Sequence, residues 1–530
     1  MNRSLQRPIN RTMTRIEFVL GITGFILLSL GTHWIRLAAL PKHNAILEAA
    51  GCHIPVTVLS PPAGVTPAGT AIFIHGLSAN RRLMTYLGAD FAGHGFHSYL
   101  FDLPGHGDNR DAFTFAAAQQ CMNVAVASLI RSGQIDPRTT ILVGHSLGGA
   151  IVIRMADVEP VAATIAISPA PLTMPLRMPS NLLVLSAQFD ISAMKRQAES
   201  LAEAAGGTRT LAEDFAQKRA FQLQHVPLAS HTTIILYRIV AHRAELWAMQ
   251  AVFPKIPIAT LSINLDLATY GIFDGGRKRL TGSIVGLLGI LLIFPLALSA
   301  VCRLAGCREK TAANGHPNYV LILLETAVCA FVAVWILVVG NPLGFLHVYT
   351  GEYLASLLLI VGVLLLLLNW KDAKSNFPLS GNARGFAAAT ILGFAVILAV
   401  GGWANWQIDD AWMNAPRWLR FAEVLPVTWL YCFSEETILG RKADGQKRWV
   451  RFLVFFGLRL EIWLVCVLAY FELASGQAMI AILFPALALF SILQRLGADA
   501  VSKRTGSAMG ASIFGAILAA WFIAAVFPLT

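Results

Sequence analysis

The fold of this chain is decided around one stretch, Thr139-Thr140-Ile141-Leu142-Val143-Gly144-His145-Ser146-Leu147-Gly148-Gly149-Ala150-Ile151-Val152-Ile153. The β-branched apolar run before the glycines predicts a strand, and the apolar run after them predicts the first turns of a helix. Between them stands the pattern G-x-S-x-G, in which the small residues Gly144 and Gly148 permit a sharp turn that presents Ser146. This context favours a serine nucleophile over an ordinary glycine-rich turn.

Composition and hydropathy divide the chain into regions. Of 530 residues, 56% are hydrophobic and only 13% are charged, which indicates a membrane protein. We predict a cytoplasmic tail with a transmembrane signal anchor over 1–40, an α/β domain over 41–251, a linker over 252–281 and a membrane domain over 282–530. The membrane domain is expected to hold about eight transmembrane helices, near 282–302, 318–340, 352–370, 385–404, 418–438, 452–472, 477–494 and 507–527. Glu423 and Pro426 interrupt the fifth and make it the weakest.

The placement of lysine and arginine predicts the topology. Basic residues are concentrated in the N-terminal tail and in alternate loops, whereas the loops 341–351, 405–416 and 473–476 have none. The N-terminus is therefore expected in the cytoplasm and the α/β domain outside it, which fits a bacterial inner membrane. Two features on the outer side disagree with this map: the segment Arg277–Arg279 and the pair Arg417 and Arg420. We assign the net charge of +11 to anchoring at membrane lipids and expect no nucleic-acid partner.

Strand and helix patterns alternate from Cys52 to Met249, which predicts a doubly wound, mostly parallel sheet covered on both faces. The predicted strands are His53–Leu59, Thr70–His75, His97–Asp102, Thr139–Val143, Val161–Ile167, Leu182–Ser186 and Ala220–Val226. Reactive groups in such sheets gather at the carboxyl ends of the strands. Asp190 and His231 follow the last two predicted strands, so both are expected at the same end of the sheet as Ser146.

Three segments carry a resemblance to a known family. They are His75-Gly76, Asp102-Leu103-Pro104-Gly105-His106-Gly107 and Gly144-His145-Ser146-Leu147-Gly148-Gly149, with serine, aspartate and histidine in that chain order. In these features the α/β domain resembles the α/β-hydrolase superfamily, in its lipase and esterase branch. No family is recognised for the membrane domain.

The resemblance implies the roles of individual residues. Ser146 is expected to be the nucleophile, His231 its general base and Asp190 the carboxylate that orients the histidine. The backbone N–H groups of Leu77 and Leu147 are expected to form the oxyanion hole. Only Ser168 to Ser180 separate two strands where lipid-active members insert a helical lid, so a minimal lid is expected.

Two of these assignments have rivals. His225 and His242 fall inside a predicted strand and a predicted helix, whereas His231 lies between them. Asp157 and Asp214 also lie in loops, but only Asp190 follows an apolar strand and precedes a helix. Three histidines beside glycine turns are expected to support loop geometry: His75, His106 and His145.

The expected function is a membrane-bound serine hydrolase that cleaves carboxylic esters or thioesters, plausibly of lipid-linked substrates, through an acyl-enzyme and without metal or organic cofactor. The alternatives are a transporter or sensor with a non-catalytic, ligand-binding hydrolase-like domain, and a serine aminopeptidase-type peptidase. Cys52 and Cys121 are the only cysteines of the α/β domain, and the sequence leaves open whether they form a disulfide or stay buried thiols.

Charges inside the predicted spans call for partners. Glu325 and Arg459 have similar predicted depths and are expected to form a structural ion pair, which we favour over a transport pathway. The segment Glu435-Glu436-Thr437-Ile438-Leu439-Gly440-Arg441 resembles the paired-glutamate motif of CPBP-type intramembrane proteases, but its arginine is one residue too far and no histidine follows His347. We expect the basic residues beyond that segment to neutralise its glutamates.

Overall fold

The structure is a computed structural model that describes residues 15–155, 160–256, 275–307, 319–371, 383–408, 413–442, 448–472 and 477–530. The chain divides into two compact units, each treated by itself below. The bundle unit comprises residues 1–28, 286–403 and 412–527, and the sheet unit comprises residues 29–285, 404–411 and 528–530. Several sequence predictions lie outside the described residues: the tail 1–14, Asp157, most of the linker 252–281, and the loops 308–318, 372–382, 443–447 and 473–476.

The sheet unit is built on an eight-stranded sheet with the strand order β1-β2-β4-β3-β5-β6-β7-β8. The strands are β1 Lys42–Ala49, β2 Cys52–Leu59, β3 Gly69–Ile74, β4 Phe96–Phe101, β5 Thr140–His145, β6 Ala163–Ile167, β7 Leu182–Phe189 and β8 Phe221–Ser230. Strand β2 pairs antiparallel with β1 and β4, and all other pairs are parallel. The predicted strands are therefore confirmed, with ends shifted by a few residues.

The sequence analysis did not predict β1. This edge strand, Lys-His-Asn-Ala-Ile-Leu-Glu-Ala, is largely exposed along its length and lacks a clear apolar and polar alternation. Even Ile46 is 64% exposed. This edge strand is held by backbone hydrogen bonds to β2 rather than by burial. Its side chains therefore show no alternation of apolar and polar residues that would indicate a strand.

Helices cover both faces of the sheet, which confirms the doubly wound fold. The helices of this unit include α2 Thr85–Gly93, α3 Phe115–Arg131, α4 Leu147–Met155, α5 Ser192–Ala204, α6 Ala212–Ala216 and α7 Arg238–Val252. Ile165 of β6 belongs to a buried cluster with Phe91 of α2 and Trp247 of α7. Its neighbour Ala166 belongs to a second cluster with Ile153 of α4 and Leu201 of α5, as expected for adjacent strand residues that point to opposite faces.

A disulfide bond joins Cys52, the first residue of β2, to Cys121 of α3, with an S–S distance of 2.06 Å. Both residues are 6% exposed. The question that the sequence left open is thus answered in favour of the bond. It connects an outer strand of the sheet to the helix that covers it across 69 residues of sequence.

Nine long helices lie outside the α/β core in the described residues. They are α1 Arg15–Leu37, α8 Gly275–Leu304, α9 Tyr319–Val339, α10 Gly351–Leu368, α11 Ala383–Ile408, α12 Ala415–Lys442, α13 Arg448–Glu472, α14 Ala478–Thr505 and α15 Ala508–Val526. Within the described part of the chain, eight helices are long and apolar enough to cross a membrane, and α12 is the exception. The stretch 418–438, predicted as the fifth span, is helical but does not meet this criterion, because charged residues lower its apolar character.

Helix α12 nevertheless packs inside the bundle unit. Thr428 donates a hydrogen bond to the carbonyl oxygen of Ala516 in α15 over 3.1 Å, and Trp429 Nε1 donates to Ser512 Oγ of the same helix over 3.1 Å. A Cβ on Gly362 of α10 would approach the backbone of Tyr431 within 3.0 Å. Because α10 and α15 lie close to α12 on two sides, the buried carboxylates of α12 need partners within the protein.

The predicted pair of Glu325 with Arg459 is wrong. Arg459 of α13 instead donates to Glu435 Oε2 of α12 over 2.7 Å, and Glu325 accepts a hydrogen bond from Asn369 Nδ2 over 3.3 Å. The prediction matched Glu325 and Arg459 by their positions along the predicted spans, and such positions do not indicate the face of a helix on which each residue lies. The Arg459 side chain is directed towards α12, so Glu435 is the carboxylate that it reaches.

Glu435 and Glu436 have cationic partners on neighbouring helices, whereas the side chains of the basic residues that were expected to neutralise them lie outside the described part of the structure. Glu436 forms an ion pair with Arg495 of α14, and Arg495 lies 3.6 Å from Glu435 as well. Arg459 completes the group and also donates to Gln494 Oε1 over 2.8 Å. Because these side chains are buried, their partners on neighbouring helices offset the cost of removing the charges from water.

Candidate active site

Ser146 occupies a tight turn between β5 and α4. Its φ of +55° is a left-handed conformation that non-glycine residues rarely adopt. Its N–H donates to the carbonyl oxygen of Ile167 over 2.9 Å and fixes the turn against β6. A Cβ on Gly144 would lie 2.1 Å from the carbonyl oxygen of Gly148, and a Cβ on Gly148 would lie 2.1 Å from that of Ile74. Both glycines are therefore required by close backbone approaches.

The structure brings Ser146, His231 and Asp190 together. His231 Nε2 lies 2.8 Å from Ser146 Oγ, and His231 Nδ1 lies 2.9 Å from Asp190 Oδ1. A carboxylate only accepts, so the imidazole proton sits on Nδ1 and leaves Nε2 free to accept the serine proton. All three residues are at least nine-tenths buried, and Ile191 N also donates to Asp190 Oδ1 over 3.1 Å. Side chains in this arrangement can act as a nucleophile, a base and an orienting acid.

The two predicted oxyanion donors flank this group. Leu147 begins α4, where the first N–H groups of a helix have no partner within the helix. Leu77 lies in the turn after β3, beside Gly76, whose added Cβ would approach Ser146 Cβ within 2.9 Å. Among the described residues, no hydrogen bond occupies the N–H group of Leu77 or of Leu147. Both groups therefore remain available to an oxygen near Ser146.

The sequence analysis missed a buried arginine behind the Leu77 turn. The N–H of Arg81 donates to Asp102 Oδ1 over 2.8 Å, and its guanidinium forms an ion pair with the same carboxylate. Arg81 Nη2 also donates to Asp108 Oδ2 over 3.1 Å, and Arg81 Nε donates to Thr57 Oγ1 over 3.0 Å. This clamp joins the turn after β3 to the loop after β4. The only sequence signal was an arginine pair close after His75-Gly76.

The neighbouring histidines support the same turn, as the sequence predicted for them. His75 Nδ1 donates to the carbonyl oxygen of Gly76 over 2.8 Å, so its Nε2 accepts from Leu103 N over 3.1 Å. Burial lowers the pKa of His75 and keeps it neutral, although Asp102 acts in the opposite direction. His106 Nε2 accepts from Ser78 N over 3.3 Å.

The rival residues lie elsewhere in the structure. His225 is exposed within β8, and His242 lies within α7. Asp214 accepts from Leu211 N over 3.1 Å at the start of α6 and from Arg219 Nε over 3.0 Å. These contacts give Asp214 a local structural role. Among the described residues, no group of three or more histidine, cysteine, aspartate or glutamate side chains is arranged to hold a metal ion.

No helix covers the site between β6 and β7. The described residues 168–181 contain turns and extended chain but no regular element, which matches the expected minimal lid. Ala170 N donates to the carbonyl oxygen of Ser146 over 2.9 Å, and Leu172 N donates to Gln197 Oε1 over 3.1 Å. At the ends of β7 and β8, Phe189 and Leu228 are 60% and 72% exposed.

Comparison with known proteins agrees with this geometry. The family described as "Alpha/beta hydrolase family" matches residues 71–270. The chain carries an α/β-hydrolase domain. A putative non-heme haloperoxidase of Mycobacterium phage D29 is 28% identical over 134 residues, which is 24% of this chain and 44% of the phage protein. The chain thus spans less than half the length of this curated relative.

Solved structures of other proteins also match part of this chain. A serine hydrolase without lid from Xanthomonas campestris is 17% identical and matches over 43% of this chain and 94% of its own, with a TM-score of 0.31. An esterase from Pyrobaculum calidifontis is 13% identical and matches over 46% of this chain and 96% of its own, with a TM-score of 0.32.

Proposed function

We propose that this protein is a membrane-bound serine hydrolase that cleaves carboxylic esters or thioesters through an acyl-enzyme. The observation that carries the proposal is the continuous hydrogen-bonded chain from Ser146 Oγ through His231 to Asp190, at 2.8 and 2.9 Å. Each group lies directly after a strand of the same parallel sheet, so all three are held by rigid elements.

The reaction follows from the positions of these groups. Ser146 Oγ attacks the carbonyl carbon while His231 Nε2 takes the serine proton, and Asp190 stabilises the imidazolium that forms. The N–H groups of Leu77 and Leu147 stabilise the oxyanion of the tetrahedral intermediate. Collapse of the intermediate breaks the bond to the alcohol or thiol, which leaves with the proton from His231. Water then attacks the acyl-enzyme with the same base, and Ser146 is regenerated.

A fluorophosphonate probe tests the nucleophile. The full-length protein should be labelled, and Ser146→Ala should abolish both labelling and ester hydrolysis. Ser186→Ala is the matched control, because Ser186 is a buried serine of β7 whose hydroxyl has no hydrogen-bond partner among the described residues. Labelling that survives in Ser146→Ala would refute the proposal. His231→Ala should be as inactive as Ser146→Ala, whereas Asp190→Asn should retain a small residual rate.

We place the hydrolase domain outside the cytoplasm. The basic residues of the predicted inner loops support this orientation, and the Cys52–Cys121 disulfide suits an oxidising compartment. A reporter that is active only outside the cytoplasm should work when fused after Gly206 and fail when fused after Lys374. Signal from the second fusion would overturn the orientation.

We further propose that the substrates are lipid-borne. Phe189 and Leu228 expose large apolar side chains beside Asp190 and His231, where an acyl chain can contact them. Leu228→Asp should lower hydrolysis of a vesicle-embedded ester by about tenfold and leave a water-soluble short-chain ester unaffected. Leu211→Asp is the control: Leu211 is 71% exposed, and Arg209, two residues earlier, pairs with Phe221 at the opposite end of β8. Equal effects of both variants would contradict a lipid-borne substrate.

A further inference from the structure

His145, the residue directly before the nucleophile, has contacts that the proposed reaction does not use. It is the last residue of β5 and is 5% exposed. Its Nε2 lies 2.9 Å from the carbonyl oxygen of His231, across 86 residues of sequence. The two imidazole rings lie face to face at a tilt of 37°, with their centroids 5.0 Å apart. One strand end therefore supports both the nucleophile and the general base.

The direction of this hydrogen bond fixes the tautomer of His145. A carbonyl oxygen only accepts, so the proton is on Nε2 and Nδ1 carries a lone pair. Nδ1 is buried and has no hydrogen-bond partner among the described residues. It faces the oxyanion turn, since a Cβ on Gly76 would lie 3.2 Å from it. His145 is thus inserted between the backbone of the general base and the turn that carries Leu77.

The surroundings keep His145 uncharged. Burial, and next the proximity of His231, lower its pKa from 6.5 to about 3. The hydrogen bond to the His231 carbonyl and the charge of Asp190 act in the opposite direction and are outweighed, and His75 adds a small lowering effect. A second cation beside the imidazolium of His231 would oppose proton transfer from Ser146. A neutral donor avoids that cost.

The backbone of His231 has few other supports. Thr233 Oγ1 accepts from Ser230 N over 3.0 Å, and Thr233 N donates to the Ser230 carbonyl over 3.2 Å, which closes the turn around His231. The His231 carbonyl itself points inward to His145. Without that donor it would be a buried acceptor lacking a partner, and the turn would be expected to shift to find one. Such a shift moves Nε2 away from Ser146 Oγ.

We propose that His145 is a positioning residue that holds the general base at Ser146 through a neutral N–H donated to the His231 backbone. This proposal rests on the proposed function of Ser146 and His231. It assigns His145 no bond-making step: the residue acts through His231 and not on the substrate. The donor is what matters, and the aromatic ring is not essential.

Two substitutions separate the donor from the ring. His145→Gln places an amide N–H near the position of Nε2, whereas His145→Phe keeps a ring of similar size without a donor. On a water-soluble ester, we expect kcat of the Phe variant to fall by about tenfold to a hundredfold with KM unchanged, and kcat of the Gln variant to stay within about threefold of wild type. The rate of fluorophosphonate labelling should fall in parallel with kcat. Thermal unfolding midpoints show whether each variant is folded, and His145→Met replaces the Phe variant if that one is not.

The rescue of kcat by glutamine is the readout that a merely structural role would not move, and the pH dependence tests whether His145 itself changes protonation. The acid limb of log kcat/KM should have a slope of one in the wild type and in both variants, because His145 stays neutral over this range. A slope of two in the wild type that becomes one in the Phe variant would overturn the proposal. So would an unchanged kcat in the Phe variant, an equal loss in both variants, or a rise in KM alone. Labelling that persists in Ser146→Ala would instead refute the underlying function.

Discussion

The disulfide between Cys52 and Cys121 allows the stability of the hydrolase domain to be perturbed without touching the catalytic residues. A cross-link restricts the unfolded chain, and its entropic contribution grows with the logarithm of the enclosed loop. For a separation of 69 residues, this relation gives a stabilisation of about 4 kcal/mol at 25 °C. In a domain of this size, 1 kcal/mol changes the melting temperature by about 2–4 °C. Replacing both cysteines with alanine should therefore lower it by about 8–16 °C.

The assay is thermal inactivation of the full-length protein in detergent. Samples are heated, cooled and labelled with a fluorophosphonate, and the temperature of half-maximal labelling is compared with and without a reductant. The wild type should shift with the reductant to the value of the Cys52→Ala/Cys121→Ala double variant, which should itself be insensitive to reductant. Cys329→Ala controls for removal of a buried thiol outside this bond. Because both sulfurs are buried, reduction must be verified by alkylation and mass measurement.

Two results would refute this reasoning. If the fully reduced wild type melts at the same temperature as the oxidised protein, the loop between β2 and α3 is already restricted in the unfolded state, and chain entropy does not explain the bond. If alkylation of protein taken directly from membranes shows free thiols at both positions, the bond is not formed in the cell. The second result would also remove one support for placing the domain in an oxidising compartment.

The remaining predictions concern pH and the nucleophile turn. Burial alone would lower the pKa of His94, but its contacts with Glu245 and Asp90 raise it from 6.5 to about 9. Its stabilising contribution is therefore complete below about pH 6.5 and disappears as the pH rises through about 9, a loss of at most about 3 kcal/mol. The free energy of unfolding of the Glu245→Gln variant, measured between pH 6.5 and 10, should not show this decrease. Gly148→Ala should reduce activity by at least about a hundredfold, because its Cβ would lie 2.1 Å from a backbone oxygen. Gly340→Ala should remain active, because nothing lies within 4 Å of its added Cβ and its φ is not positive.

The candidate site residues could be chosen from the sequence because each lies beside a local feature, a pair of glycines or the end of a strand. The turn at Ser146 requires two flanking glycines, and the sequence shows both directly. Asp190 and His231 are the first residues after β7 and β8, and apolar runs in the sequence indicate both strands. The parallel arrangement then brings these ends to one edge. No knowledge of side-chain packing is needed for that step.

Contacts that depend on packing could not be read in the same way. Arg81 reaches Asp102 across 21 residues, and the Cys52–Cys121 bond requires two Cα atoms 5.6 Å apart that are 69 residues distant in sequence. The support of His231 by His145 likewise depends on where a loop passes over a strand end. Neither periodicity nor motif spacing contains this information. The sequence therefore could not predict these contacts, and only the structure shows them.

The paired charges of α12, α13 and α14 depend on the rotation of each helix about its own axis, which positions along the predicted spans do not indicate. Successive residues of a helix point about 100° apart, so Glu435 and Glu436 are directed to different neighbours, and they reach Arg459 of α13 and Arg495 of α14. These two cations and two anions balance, and their pairing joins three helices. Burying the charges singly would be costly, and pairing them offsets that cost at the price of fixed helix positions. The four charges are thus accounted for by packing of the bundle, and a transport pathway is not needed to explain why they are present.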